Sequence, residues 1–191
     1  MYLLKSDNSV VGILSQKNNK FYRKEKRKKL TAFTDIYDRA LVTMQDYTLD
    51  KLAETNYDAF LLFMKSLLKS GIPFFNCCLN SLEFEDIEET EIDEDGNESQ
   101  VINTYFVADL TNKEQSILAM VLVYEWFKRD VNDARQYRQK LSTRDFKTES
   151  SYQSLQKRSE YLDKMKEQIV QEIQNYQVDN MDSLYEQYGG L

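Results

Sequence analysis

A chain of 191 residues can bury a proper core without disulfide staples, and suggests one domain with extensions. With 5 Gly and 1 Pro among many Lys, Glu, Gln and Leu, the composition sets aside a many-turned β fold and favours helices. The net charge of −7 argues against a surface that is wholly a nucleic-acid footprint, and the absence of His removes the commonest general base and zinc ligand.

The first 16 residues hold one short apolar run, Val10-Val11-Gly12-Ile13-Leu14, which reads as a weak strand or an ordered arm. There is no continuous apolar core of the kind a signal peptide needs. Next comes Lys17–Lys29, with eight Lys or Arg against Glu25 alone. Outside that segment stand 17 basic and 31 acidic residues, so the molecule is a basic arm (residues 1–33) on an acidic body. The arm has three readings. It is a solvated segment; or Lys20, Arg23, Lys24, Lys26, Arg27, Lys28 and Lys29 meet nucleic-acid phosphates, with Phe21 and Tyr22 interleaved; or it docks on the acidic body of another copy.

The body, residues 34–177, should open with a helix near Thr34 or Asp35 carrying Tyr37, Ala40, Leu41 and Met44 on one face. Thr48–Glu54 reads as a short helical turn. A second helix from Thr55 or Asn56 places Tyr57, Phe60, Leu61, Met64, Leu67 and Leu68 on one stripe, widened by Leu62 and Phe63. It should stop at Ser70, because Gly71 suits a left-handed cap and Pro73 blocks continuation. Cys77 and Cys78 are neighbours, a spacing that strains a disulfide, and read as reduced, mostly buried thiols.

Leu82–Asp109 changes character. Ten carboxylates and no base lie between Glu83 and Glu98, and Asp95-Gly96 between two β-prone arms signals a projecting hairpin. Asp93-x-Asp95-Gly96-Asn97 faintly echoes a calcium loop but lacks its Gly placement and distal bidentate Glu, so no metal is assigned.

Thr111–Asp130 is the centre of the expected fold. Thr111 and Glu114 form a capping box. From Ile117 to Phe127 the helix is apolar all round except for Glu125, so it belongs inside the domain. The run is too short for a bilayer, which takes about 20 apolar residues. Glu125 requires a partner, either Arg135 or Arg138 of the same chain or a group on a neighbouring subunit, while Trp126 packs beside it. Asn132–Leu141 reads as a further short helix and Ser142–Ser150 as a polar turn. From about Ser151 to Gln177 a long amphipathic helix carries Leu155, Leu162, Ile169 and Tyr176 seven apart. Residues 178–191 form a tail with Met181, Leu184, Tyr185 and Tyr188 among polar neighbours.

The expected architecture is mainly α: a helical bundle around a central buried helix, with a long C-terminal amphipathic helix and an inserted acidic β-hairpin. Scattered glycines, no nucleophile elbow and no four-ligand metal site speak against an enzyme, and no cofactor is called for.

Beyond these general features, particular segments are distinctive. Asp109-Leu110-Thr111, Glu114, Ile117-Leu118-Ala119-Met120, Glu125-Trp126-Phe127 and Val131-Asn132 resemble a family of tailed-bacteriophage neck proteins, the head–tail connectors or adaptors. The resemblance continues through Gln139, Leu141-Ser142, Asp145-Phe146-Lys147, Ser150 and Leu155, and upstream through Ile36–Arg39 and Phe60–Phe75. It covers about residues 34–178. Ser151-Tyr152-Gln153-Ser154 and Gly71-Ile72-Pro73 depart from the family pattern, and the hairpin and first 30 residues look like additions. The resemblance implies a ring of identical subunits, twelve by analogy, between the portal protein and a tail or tail-side neck protein, in the virion and around the passing genomic DNA. It implies a structural role for Glu125, Trp126, Asp145 and Phe146. It also implies portal anchoring by the tail, hence by Met181, Leu184, Tyr185 and Tyr188. The competing reading is a free-standing, nucleic-acid-associated regulatory module that uses the basic arm; an acid-cluster metalloenzyme ranks behind both.

Overall fold

The computed structural model describes residues 30–44, 46–92, 98–141 and 149–188. They are mainly helical, with one inserted antiparallel hairpin. In chain order come α1 (Phe33–Leu41), α2 (Tyr47–Thr55), α3 (Tyr57–Gly71), a 3-10 turn (Ile72–Phe75), β1 (Phe84–Ile92), β2 (Glu98–Phe106), α4 (Asn112–Leu141), α5 (Glu149–Asp179) and α6 (Met181–Tyr188). The chain divides into two compact units, one from the residues up to Ser66 with Asn80–Ser116, the other from Leu67–Leu79 with Ile117–Leu191.

In the first unit each short helix starts on a side-chain acceptor, the usual remedy for orphaned N-terminal N–H groups. Asp35 accepts from the Ala32 amide (3.2 Å), Asp46 from Thr48 (2.8 Å) and Asn56 from Ala59 (3.0 Å). The expected face of α1 is buried at Tyr37, Ala40 and Leu41, and Met44 stays buried just beyond the helix end. Residues 47–55 make a full helix rather than a connecting turn, with Leu49 and Ala53 inward. Phe33 is the aromatic hub, its ring 4.5 Å from Phe106 and 5.3 Å from Phe84. On α3, Phe60 and Met64 are buried as the stripe requires, but Leu62 is 69% exposed. That side chain does not widen the buried stripe: it lies about 200° around the helix from Phe60, at 100° per residue, on the solvent face.

β1 and β2 pair throughout, from Phe84↔Phe106 to Ile92↔Glu98, a register centred on Asp95. The loop 93–97, with the calcium-like residues, lies outside the described residues.

In the second unit, Gly71 differs from its expected role. It ends α3 in the ordinary right-handed conformation (φ −86°, ψ −28°), not as a left-handed cap. The reason for glycine is proximity: a Cβ there would stand 2.4 Å from Val121 Cγ1. α4 runs unbroken for 30 residues, so Asn132–Leu141 is its continuation and no separate helix. Nothing between Lys128 and Asn132 is Gly or Pro, and a charged stretch alone does not end a helix. Its inner run, Ile117–Ala119 and Val121–Glu125, is buried. α5 lies antiparallel against the later turns of α4, since Phe127 meets Tyr161 (5.3 Å) and Asp130 accepts from Arg158 (2.8 Å). Along α5, Ile169 and Tyr176 are buried and Leu155 and Leu162 half-buried, the heptad stripe the sequence displays. Tyr176 also accepts a hydrogen bond at its hydroxyl from the Leu79 amide (3.0 Å) and sets its ring edge-on to Phe75. Asn180 closes α5 by donating twice to the Tyr176 carbonyl. The segment after it is helical, where the sequence suggested only a tail with anchors.

Candidate functional site

Three places in the described residues concentrate chemistry: the start and middle of α4, the hairpin, and the end of the chain.

The capping box is formed. The Thr111 amide donates to Glu114 Oε2 (2.7 Å), and the Glu114 amide to Thr111 Oγ1 (3.3 Å). Asn80 adds a third contact, its Nδ2 donating to the same Glu114 oxygen (2.9 Å). This carboxylate is fully buried yet satisfied, which is how a buried charge is tolerated. Arg39 of α1 holds the same helix end by donating to Asn112 (2.8 Å) and Ser116 (3.4 Å).

Glu125 is paired within its own chain, with Lys128 and not with Arg135; the side chain of Arg138 lies outside the described residues. Lys128, one turn on, donates to both carboxylate oxygens at 2.8 and 3.0 Å, and its ammonium stands 5.7 Å from the Tyr124 ring centre. Arg135 donates instead to Ser159. The local partner wins because an i,i+3 lysine snorkels to the edge of the buried surface without a long-range geometry to satisfy. Trp126 is half-buried next to Phe127. Asp145 and Phe146 lie outside the described residues.

The hairpin is acidic on both faces. On one, Asp86 accepts from Lys65 (2.6 Å) and from Thr104 directly opposite (2.6 Å). On the other, Glu89 accepts from Asn103 (2.8 Å) and Tyr105 (2.9 Å). Glu85, Glu88 and Glu98 are exposed, and Ile102 stands 62% exposed across from Glu88. Among the described residues no group of three or more His, Cys, Asp or Glu is arranged to hold a metal ion.

The chain end presents apolar side chains outward. Val170 and Val178 on α5 are 40% and 69% exposed, and Met181 and Tyr185 on α6 are 60% and 71%. Leu184 and Tyr188 fall on α6 as well, their side chains outside the described set. Sequence reasoning found the α6 pair but passed over Val170 and Val178. The signal was present, since Val170, Val178, Met181 and Tyr185 are spaced by eight, three and four.

Asp38 and Cys77 are among the groups that burial perturbs. Asp38 is pushed up to about 6 by burial, with Asp35 adding like-charge repulsion, and its buried Oδ1 accepts no hydrogen bond from the described residues. The Cys77 thiol is raised by partial burial, and Cys78 beside it is buried; neither is in a disulfide. The basic residues Lys20, Arg23, Lys24, Lys26, Arg27, Lys28 and Lys29 lie outside the described residues. No described helix is long and apolar enough to cross a membrane.

No family model matches the chain, and neither a curated protein nor a solved structure is significantly similar to it.

Proposed function

We propose that the chain is a structural subunit of a tailed-phage neck, a head–tail adaptor that assembles as a ring between portal and tail components and lines or seals the DNA channel. The observation that carries this reading is the outward apolar face at the chain end. Val178, Met181 and Tyr185 are each at least 60% exposed, Val178 on α5, which also supplies the buried Ile169 and Tyr176, and the other two on α6. Large apolar groups gathered on one exposed stretch mark a surface completed by another molecule. In this reading the portal receives Met181 and Tyr185, with Leu184 and Tyr188 on the same short helix. The sequence resemblance over residues 34–178 supplies the identity of that receiver. A head-to-tail subunit contact closes into a ring when its rotation permits.

The body contributes rigidity. Glu114 and Glu125 are each satisfied by partners that hold α4, and the buried carboxylates read as structural. The alternative, a DNA-associated regulatory module, has the basic arm in its favour and the acidic body against it. The deciding experiment is electron microscopy of the protein mixed with the portal of its particle. A ring of density on the portal's tail-side face is the expected result; an undecorated portal, or one copy per portal, rules the proposal out.

A further inference from the structure

We propose that the hairpin is a receptor for the basic arm of a second copy of this chain, with part of Lys17–Lys29 added as a strand along the outer edge of β2. The proposal rests on the reading of the chain as a self-assembling part and names the contact through which copies engage.

The backbone direction defines the opening. The Val107 amide donates to the Glu83 carbonyl (2.9 Å), which makes the odd-numbered residues of β1 and β2 the mutually bonded ones. The even-numbered residues of β2 therefore turn their N–H and C=O groups outward. At the hairpin base that outer edge is used: the Phe106 amide donates to the Thr31 carbonyl (2.9 Å) and Ala32 bridges Tyr105. At the even-numbered positions Glu98, Gln100 and Ile102 it pairs with no described strand, and among the described residues the sheet is β1 and β2. Exposed edges of this kind recruit a further strand, and five residues give about 17 Å of ladder.

Charge selects the occupant. β1 carries Glu85, Asp86, Glu88, Glu89 and Glu91 without a base, and β2 opens with Glu98. Two such hairpins repel each other, so edge-to-edge pairing of like with like is disfavoured. A strand bearing eight Lys or Arg against one Glu is attracted, and long basic side chains on the added strand reach across β2 towards the carboxylates of β1. Phe21 and Tyr22 within that segment supply apolar cover for the exposed Ile102.

Topology favours exchange between copies over closure within one. Thr31 and Ala32 run antiparallel to β2, so the described chain joins this edge at the hairpin base, with Leu30 on the side away from the tip. The arm would have to reverse to reach Glu98–Ile102 of its own hairpin. The arm of a second copy carries no such constraint.

The test is a charge swap in the full-length protein, read by sedimentation velocity. One variant reverses the hairpin (Glu85→Lys, Glu88→Lys, Glu98→Lys), using exposed carboxylates. The other reverses the arm (Lys24→Glu, Lys26→Glu, Arg27→Glu, Lys28→Glu). Wild-type protein should self-associate, more weakly as salt is raised. Each variant alone should associate about tenfold or more weakly, the sum of several modest charge pairs. An equimolar mixture of the two should regain wild-type association, because each then offers the charge the other needs. The milder Glu85→Gln, Glu88→Gln, Glu98→Gln variant should fall between, and circular dichroism checks that all keep their helices. Monomeric wild-type protein at low salt, variants that associate like wild type, or a mixture no stronger than its parts each overturns the proposal. Portal decoration is scored separately, so a ring that forms without arm exchange defeats this inference alone.

Discussion

The inner run of α4 and the end of the chain belong to the same unit, are both helical, and are both rich in large apolar side chains, yet they meet opposite fates. Ile117, Leu118, Val121 and Leu122 are at most 1% exposed, whereas Val178, Met181 and Tyr185 are 60% exposed or more. The difference is not one of helix propensity. The first stretch is apolar on all sides and is enclosed by its own chain. The second has one apolar face already committed, through Ile169 and Tyr176, and a further apolar set that a single chain leaves uncovered. One region is built for the stability of the subunit, the other for something outside it.

The largest effect should come from breaking the enclosed side. Leu122→Ala removes a fully buried side chain from the middle of α4 and should cost about 2–5 kcal/mol, as cavity-forming substitutions do. Urea unfolding followed by circular dichroism measures it, and a loss under about 1 kcal/mol would mean the run is not enclosed as described.

Gly71→Ala should act next, and with a sign that propensity alone gets wrong. In a helix, Ala in place of Gly is worth about 1 kcal/mol of stability. Here the added Cβ would sit 2.4 Å from Val121 Cγ1, a branched and buried methyl with nowhere to retreat. Overpacking of this kind costs about 1–3 kcal/mol, so a net loss is expected. Combining it with Val121→Ala should be less damaging than the two losses added together, the mark of a shared contact. A more stable Gly71→Ala protein would sink the close-approach account.

Much of the enclosed region was legible in the sequence, because the rules that govern it are local. Thr111 and Glu114 are three apart, as a capping box requires, and the unbroken apolar run after Ile117 leaves no solvent face. The stripe on α5 was equally readable from its seven-residue spacing. What could not be read was set by partners distant in sequence, or by choices between equivalent local options. Gly71 looks like a helix terminator until Val121 is found against it. Leu62 looks like core until its side of α3 is seen to face solvent. The choice of Lys128 over Arg135 for Glu125 depends on where Ser159 of α5 falls, and no periodicity carries that. Of the candidate binding surface, the apolar anchors of α6 were visible, but its extension through Val170 and Val178 was not, because α5 was read for its buried stripe alone. That a hairpin forms here follows from Asp95-Gly96, but its register, Ile92 with Glu98, is one residue off what a two-residue Asp95-Gly96 turn would give. The edge of β2 left without a described partner depends on where Thr31 leaves it.

The smallest effect on stability should come from the uncovered side, and there it is the smallness that informs. Met181→Ser with Tyr185→Ser replaces two side chains that are 60% and 71% exposed, so folding stability should move by no more than about 0.5 kcal/mol. Exposed apolar groups that stabilise nothing in their own chain are nonetheless costly to keep, since they invite non-specific association. Their retention therefore makes sense through a binding partner. The same double substitution should abolish decoration of the portal while leaving the urea midpoint in place. A variant that unfolds early would return these side chains to the subunit's own packing, and one that still decorates the portal would remove them from the interface. Only the combination of unchanged stability and lost docking matches a surface left open by one molecule for another to close.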